Sequence, residues 1–148
     1  MKTQTRRFFG LLGTTALAVA LAPIIASAQA KPQASKNRIV FQVSDGDPMK
    51  WGLALNNMRN VQVELGDDEV DVELVAYGPG IGMLKGDSPM AKRISEALKS
   101  GVKVVACENT MKGQKLVYAD MLPDIGYVPS GVVELMRKQQ QGYAYVRP

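Results

Sequence analysis

The chain contains a single cysteine, Cys107, and no histidine. The absence of histidine removes Ser-His-Asp and Cys-His catalysis, imidazole metal sites and histidine proton shuttles. Cys107 is therefore the best nucleophile that the chain offers for covalent chemistry. The alternative is an inert cysteine that only fills space, because free cysteine is among the most buried residue types.

The residues around Cys107 predict that it lies where a buried strand gives way to a helix. A thiol just before a helix faces free backbone N–H groups, which favour the thiolate. Asn109 or Thr110 is expected to cap this helix. Lys112 would add positive charge, whereas Glu108 would oppose the thiolate. A thiolate without a neighbouring base suits sulfur or disulfide exchange better than acyl transfer, because sulfur is already a soft nucleophile.

A glycine-rich loop over residues 78–82 follows the second predicted strand. It does not fit a dinucleotide-binding fingerprint, because Met83 stands where the next glycine is required and because the loop does not follow the first strand. The glycines instead predict a tight turn whose backbone passes close to the Cys107 loop or to a ligand. The predicted ligand-binding residues are Gly78, Pro79, Gly80, Asn109 and Thr110.

No cofactor and no metal site are predicted. Asp45 and Asp47 supply two carboxylates without further oxygen ligands at loop spacing, and turn formation and helix capping explain both. The methionines are scattered, with no Met-x-Met cluster, which is typical of core filling rather than of soft-metal binding.

Residues 1–28 predict a cleavable export signal. A positive segment with Arg6 and Arg7 precedes an apolar stretch over residues 10–25, and Ala26-Ser27-Ala28 fits cleavage before the next residue. The run Thr5-Arg6-Arg7-Phe8-Phe9 resembles a twin-arginine signal, which a transporter of folded proteins reads. The expected location is therefore the periplasm.

Beyond the signal we expect a flexible leader over residues 29–37 and a single domain over residues 38–148. The signal holds three of the 18 lysines and arginines and none of the 14 acidic residues, so the remaining chain is nearly neutral. It has no basic block, so nucleic-acid binding is not predicted. It has no second apolar stretch of membrane length, so no membrane association is predicted after cleavage.

Strand and helix patterns alternate along the domain. The predicted strands are residues 38–43, 70–76, 102–106, 125–128 and 143–146. The predicted helices begin at Asp47-Pro48, Ser88-Pro89, Thr110 and Ser130, and the last three end at Lys99, Met121 and Gly142. The end of the first helix stays open, because residues 61–65 also alternate like a strand. This order predicts an α/β fold, a three-layer α/β/α sandwich with a mostly parallel five-stranded sheet whose strand order is not readable.

Blocks spread along the domain resemble the DsrE/DsrF-like sulfur-relay family. They are Val75-Ala76-Tyr77-Gly78-Pro79-Gly80, Ala106-Cys107-Glu108-Asn109-Thr110-Met111, Leu122-Pro123, Val128-Pro129-Ser130-Gly131-Val132 and Gln140-Gln141-Gly142-Tyr143-Ala144-Tyr145. The resemblance implies a three-layer fold that assembles as trimers or hexamers. It also implies that the cysteine after the third strand carries sulfur as a persulfide in active members, and Cys107 occupies that position. Some members lack this cysteine and act as structural subunits.

Three hypotheses follow. The first is a periplasmic sulfur carrier, sulfurtransferase-like if active, in which Cys107 accepts sulfane sulfur from a donor and yields it to an acceptor protein. The second is a non-enzymatic oligomeric module that binds a small molecule or a protein, with Cys107 merely buried. The third is a redox sensor that forms a disulfide between two chains through Cys107, because one cysteine cannot form a disulfide within the chain.

Overall fold

The structure is a computed structural model that describes residues 36–148. The predicted export signal, residues 1–28, and residues 29–35 of the predicted leader lie outside the described residues. No helix within residues 36–148 combines the length and the apolar character that crossing a bilayer requires.

Strands and helices alternate along the described chain. The strands are β1 (Asn37–Val43), β2 (Val70–Ala76), β3 (Lys103–Cys107), β4 (Gly126–Val128) and β5 (Ala144–Val146). The α-helices are α1 (Pro48–Leu65), α2 (Ala91–Lys99), α3 (Glu108–Gly113) and α4 (Gly131–Gln140). The sheet has five strands in the order β4-β3-β2-β1-β5, and every pair is parallel. The predicted α/β fold with a parallel five-stranded sheet is confirmed.

Helices cover both faces of the sheet. Alternate strand residues such as Phe41, Leu74 and Val104 point to the face that packs against α1 and α2, and this side holds the larger apolar core. On the opposite face, α4 packs across β1, β2 and β3, and its Leu135 contacts Val40 and Val75. The result is the expected three-layer arrangement.

Helix α1 begins as predicted, and its observed length shows where the first helix ends, which the sequence left undecided. The Asp47 carboxylate accepts a hydrogen bond from the Met49 backbone N–H (2.8 Å), and Pro48 occupies the first helical position. The helix continues to Leu65, so the alternating residues 61–65 are helical. Gln62 faces inward there and donates to the Ser100 carbonyl oxygen (2.7 Å), which stabilises this last turn.

The third helix was predicted wrongly in both position and length. It was expected over residues 110–121, but α3 spans only Glu108–Gly113. The helix ends because Lys115 adopts a left-handed conformation with φ of 56°, and the Leu116 N–H then closes on the Met111 carbonyl oxygen (2.9 Å). The chain continues to β4 through a short 3-10 helix, Tyr118–Asp120.

Two further boundaries differ from the prediction. Helix α2 begins at Ala91 rather than at Ser88, although the Ser88 hydroxyl accepts a hydrogen bond from the Met90 N–H (3.2 Å) just before it. The glycine-rich loop extends beyond a tight turn into a 3-10 helix over Gly78–Leu84. Both segments contain hydrogen bonds to the residue three positions earlier, from the Gly80 N–H to the Tyr77 carbonyl oxygen (3.1 Å) and from the Ala91 N–H to the Ser88 carbonyl oxygen (3.1 Å), which are typical of 3-10 geometry.

Candidate functional site

Cys107 is the last residue of β3, at the carboxyl end of the sheet. The register pairs Val43 with Ala76 and Ala76 with Ala106, so the next residues, Ser44, Tyr77 and Cys107, lie at one level across β1, β2 and β3. Alternation directs these three side chains to the face that α4 covers. Open parallel sheets bind ligands beyond the carboxyl ends of their strands, so Cys107 lies where a site is expected.

The Cys107 thiol lies between the beginnings of α3 and α4. Burial raises the pKa of this thiol, whereas the Thr110 hydroxyl and the backbone N–H groups of Gly131, Thr110 and Asn109 lower it. These polar groups outweigh burial, so the pKa of Cys107 is lower than that of an ordinary thiol. The surroundings therefore stabilise the thiolate.

Cys107 is also buried, with only 5% of the residue exposed. A cysteine enclosed by hydrocarbon alone would have a raised pKa, because burial without compensating donors disfavours the charged thiolate. The donors beside Cys107 therefore more than offset the effect of burial on the pKa of its thiol. The small exposed fraction means that any reaction partner must approach the sulfur at the edge of the sheet.

Gly78 fixes the position of the Thr110 hydroxyl. The Gly78 backbone N–H donates to Thr110 Oγ1 (2.9 Å), and the Gly78 carbonyl oxygen accepts a hydrogen bond from Gln114 Nε2 (3.1 Å). Gly78 adopts a φ of 54°, a left-handed conformation that glycine reaches without steric cost. The beginning of the glycine-rich loop thus contacts α3 directly, next to the residue that lowers the pKa of Cys107.

The predicted helix caps at Asn109 and Thr110 are wrong. Cys107 itself occupies the N-cap position of α3, and Asn109 and Thr110 belong to the first turn. The Asn109 backbone N–H donates to the Pro129 carbonyl oxygen (3.2 Å), which joins the start of α3 to the connection between β4 and α4. This N–H therefore has the Pro129 carbonyl oxygen as a hydrogen-bond partner as well as the thiol beside it.

The glycine-rich loop also packs tightly against the end of β1. A Cβ atom on Gly80 would lie 2.2 Å from the Val43 carbonyl oxygen, so only glycine fits against this strand end. The predicted close approach of the loop backbone is therefore to β1 at Gly80 and to α3 at Gly78. Pro79 lies between them and is exposed.

Helix α4 begins against Tyr77. A Cβ atom on Gly131 would lie 3.1 Å from the Tyr77 side chain, so glycine lets the helix start close to the sheet and brings the Gly131 N–H to Cys107. The sequence analysis missed Gly131, because β4 and α4 are distant in sequence from β3. The signal that would have found it is the strand order, in which β4 neighbours β3.

The carboxylate of Glu108, expected to oppose the thiolate, is held by a tyrosine. Tyr118 donates its hydroxyl to Glu108 Oε1 (2.5 Å), and its ring packs edge-on against Tyr127 with 4.5 Å between centroids. Glu108 raises the pKa of Tyr118, so the phenol stays protonated and remains a donor. This contact was not predicted, because Tyr118 was expected inside a regular helix.

A buried ion pair lies under α4, deeper on the same face of the sheet. Lys138 Nζ is 2.5 Å from Glu73 Oε2 and 3.5 Å from Glu134 Oε1, and it lies 5.0 Å from the centroid of the Tyr143 ring. Glu73 is 2% exposed, and its second oxygen, Oε1, has no hydrogen-bond partner. Burial raises the pKa of Glu73 more than Lys138 lowers it. Burial also lowers the pKa of Lys138, but Glu73 outweighs that effect and raises it.

The acidic residues near α1 have structural partners. Asp45 forms ion pairs with Lys50 and Arg147, both at 3.4 Å, while Asp47 caps α1. Among residues 36–148, no group of three or more cysteine, aspartate or glutamate side chains is arranged to hold a metal ion.

One family model and several solved structures match this chain. The model of the DsrE/DsrF-like family matches residues 26–148. A solved protein of unknown function from Methanobacterium thermoautotrophicum is similar at 34% identity and a TM-score of 0.73, over 76% of this chain and 100% of that one. The ychN protein of E. coli matches at 11% identity and a TM-score of 0.61, over 76% of this chain and 99% of its own.

A conserved protein of unknown function from Bacteroides thetaiotaomicron matches at 13% identity and a TM-score of 0.58, over 76% of this chain and 95% of that one. Comparison with curated proteins finds no match. At these identities the E. coli and Bacteroides structures support the fold alone.

Proposed function

Because this chain belongs to the DsrE/DsrF-like family, for which sulfur relay is the characteristic activity, we propose that it is a periplasmic sulfur carrier. Cys107 holds sulfane sulfur as a persulfide and passes it to an acceptor thiol. The observation that carries the proposal is the lowered pKa of a thiol at the carboxyl end of a central strand. The family supports sulfur transfer in general, and the lowered pKa supports Cys107 as the carrying atom.

The proposed loading step is a displacement at sulfur. The Cys107 thiolate attacks the outer sulfur of thiosulfate or of a polysulfide, and a new S–S bond forms. The donor's S–S bond breaks, and sulfite or a shortened polysulfide leaves with the bonding electron pair. The product is a Cys107 persulfide anion, and no oxidant or reductant is consumed.

The unloading step is the reverse displacement onto another thiol. An acceptor thiolate attacks the outer sulfur of the persulfide, and Cys107 leaves as a thiolate. A lowered pKa favours both steps, because it raises the thiolate fraction for attack and makes Cys107 a better leaving group. The absence of any second cysteine also favours a carrier, since no thiol of the same chain can convert the persulfide to a disulfide.

The predicted ligand-binding residues have supporting positions around this sulfur. Thr110 and Asn109 lower the pKa of Cys107, and Gly78 contacts Thr110. We assign these three to the surroundings of the sulfur in the proposed carrier. Pro79 and Gly80 lie further along the loop, and Gly80 packs against the end of β1.

A mass measurement tests the proposal. The purified protein is incubated with polysulfide or thiosulfate, desalted and weighed intact. We expect a gain of one sulfur atom that dithiothreitol removes. Cys107→Ser and wild-type protein alkylated beforehand are the matched controls, and both should gain nothing. No gain in the wild type, or a gain that persists in Cys107→Ser, refutes the carrier.

The exposed fraction of 5% at Cys107 favours a second candidate, a non-enzymatic oligomeric binding module with a buried cysteine. This module predicts a native thiol that resists alkylation and a Cys107→Ser protein that retains its binding partner. The redox-sensor hypothesis gains no comparable support, because a disulfide between chains requires the sulfur at the surface. Non-reducing gels after oxidant treatment test it.

We also propose that the protein forms a homo-oligomer, a trimer or a hexamer. Support comes from α4, where Val132 is 59% exposed and Met136 is 49% exposed, one helical turn apart on one side of the helix. Sedimentation should report an oligomer for the wild type and a smaller species for Val132→Asp. Cell fractionation tests the periplasmic location, and removal of residues 1–28 should retain the protein in the cytoplasm.

A further inference from the structure

Helices α1 and α2 lie side by side on the sheet and enclose a cleft of about 560 Å³. This volume falls in the range of small-molecule sites, about 300–1,000 Å³. The helices lie on the face of the sheet opposite to α4, and the lining of the cleft includes Asp67, before β2, and Val102, before β3. Both residues belong to the amino edge of the sheet, whereas Cys107 lies at the carboxyl edge. The cleft is therefore separate from the proposed sulfur site.

Hydrogen bonds join the two helices at both ends of the cleft. Near the start of α2, Arg93 Nη2 donates to Asn56 Oδ1 (2.7 Å), and Arg93 Nη1 donates to the Gly52 carbonyl oxygen (3.4 Å). At the other end, Gln62 Nε2 donates to the Ser100 carbonyl oxygen (2.7 Å), and Gln62 Oε1 accepts from the Ser100 hydroxyl (3.1 Å). These bonds hold the two walls in place, which spares a ligand the cost of ordering them.

The space between these two sets of hydrogen bonds has an apolar lining. Ala97 is four residues after Arg93 and three before Ser100, so it lies on the side of α2 that faces α1, with only a methyl group to fill the gap. The buried apolar residues that line the cleft are Leu55, Met58 and Val102. A ligand in the cleft therefore meets hydrocarbon over much of its surface.

Arg93 carries the net positive charge of the cleft. Arg59 forms an ion pair with Asp67 (3.3 Å), and Glu96 and Lys99, both exposed, offset each other in charge. In the described part of the chain, no carboxylate lies within ion-pair distance of Arg93, which is half-buried. Both of its hydrogen bonds go to neutral acceptors. A guanidinium has five N–H donors, so donors remain for an anion.

We propose that this cleft binds a small carboxylate with an apolar body. The carboxylate pairs with Arg93, because a planar guanidinium matches the geometry of a carboxylate. The apolar body lies against Leu55, Met58 and Val102, where it is removed from water. This site goes beyond the proposed function and does not rest on it, since the two sites share no residue.

Nuclear magnetic resonance of the isotope-labelled protein tests the site. The probe is phenylacetate, and its neutral analogue phenylacetamide has nearly the same shape, so a difference between them reports the charge. Phenylacetate should shift the backbone amide signals of Ala97 and Val102, with a Kd of about 1 mM for a molecule of this size. Phenylacetamide should bind about tenfold more weakly, because it cannot form the charged pair with Arg93.

Three variants test the two parts of the site separately. Arg93→Met removes the charge and should weaken phenylacetate binding about tenfold while leaving phenylacetamide binding unchanged. Ala97→Met keeps Arg93 but fills the cleft, so it should abolish the shifts caused by either probe. Lys92→Met is the matched control, because Lys92 is exposed, adjacent to Arg93 and not part of the lining, and it should bind as the wild type does. Signals from residues far from the cleft report whether each variant remains folded.

The outcomes are independent of the sulfur-carrier test. Equal binding of the two probes, or phenylacetate binding that Arg93→Met leaves unchanged, overturns the assignment of a carboxylate. Shifts that occur only outside the cleft, or shifts that persist in Ala97→Met, overturn the site itself. Sulfur gain at Cys107 is measured by mass, so the carrier and the cleft succeed or fail separately.

Discussion

Lys138 is expected to stabilise the fold mainly by neutralising a carboxylate that has almost no access to water. Glu73 is 2% exposed, and its Oε2 lies 2.5 Å from Lys138 Nζ. Lys138→Met keeps the aliphatic stem that packs near Tyr143 but removes the charge. Glu73 is then left with an uncompensated negative charge beside Glu134, which is itself an acceptor.

The loss of stability should depend on pH, and its upper limit follows from the cost of protonating Glu73. Holding a carboxylate neutral costs about 1.4 kcal/mol for each pH unit above its ordinary pKa of about 4.3, which gives about 4 kcal/mol at pH 7.5 and about 1.6 kcal/mol at pH 5.5. We expect Lys138→Met to lower the free energy of unfolding by about 3 kcal/mol at pH 7.5 and about 1 kcal/mol at pH 5.5.

The direction of this pH dependence follows from the linkage between proton binding and folding. Without Lys138, the pKa of Glu73 in the folded state rises further above its unfolded value, in the direction that burial already imposes. The folded state then binds the proton more tightly than the unfolded state does. The contribution of this group to stability is therefore fully present below the unfolded pKa and is lost as pH rises through the folded pKa.

Urea unfolding, followed by the fluorescence of the single tryptophan, measures the effect. Trp51 is buried with 6% exposure, so its emission should report global unfolding. With a slope of about 1.5 kcal/mol per molar urea, the midpoint should fall by about 2 M at pH 7.5. The exposed Lys92→Met is the matched control. Glu73→Leu combined with Lys138→Met should recover most of the loss. An equal loss at both pH values, or no recovery in the double variant, would contradict the reasoning.

Further predictions concern the loop, the first helix and the thiol. Gly80→Ala places a Cβ atom 2.2 Å from the Val43 carbonyl oxygen and should cost about 3 kcal/mol in urea unfolding, whereas Gly113→Ala meets no atom within 4 Å and should not destabilise. Asp47→Ala removes the cap of α1 and should cost about 1 kcal/mol by the same assay; no loss would show that the 2.8 Å bond contributes nothing. Because the pKa of Cys107 is lowered, its alkylation rate should decline less between pH 8.5 and pH 7 than that of an unstructured cysteine peptide, and an equal decline would refute the thiolate.

Local patterns predicted most of the fold because each depends on neighbouring residues. Asp47-Pro48 starts α1, and the apolar run before Cys107 forms β3, as expected. The length of α3 was not predictable from its pattern. The helix ends near Lys115, which adopts a left-handed conformation, and lysine is not a residue type that favours this conformation. Strand order was equally hidden, since it depends on contacts between residues far apart in sequence.

In the candidate site, too, contacts between residues far apart in sequence could not be predicted. Cys107, Asn109 and Thr110 are adjacent in sequence and were predicted together. Gly131 was missed, because its contact with the thiol appears only when β4 lies beside β3. The nucleophile and its neighbours along the chain are therefore visible in the sequence, whereas the Gly131 N–H reaches the thiol only through the topology of the sheet.

The burial of Cys107 is compatible with the proposed sulfur carrier. It also favours one of the two reactions that a persulfide can undergo with an acceptor thiolate. A persulfide has two sulfur atoms, and an acceptor thiolate can attack either one. Attack on the inner atom would expel hydrosulfide and leave a mixed disulfide, whereas attack on the outer atom transfers the sulfur. The inner atom is the Cys107 sulfur, which belongs to a residue only 5% exposed and lies between α3 and α4. In the proposed carrier the outer atom is delivered by the donor, so it lies on the side from which the donor reached the thiol. The same enclosure that limits access to the thiol therefore favours transfer over mixed-disulfide formation, because it leaves the outer sulfur as the atom that an acceptor reaches first.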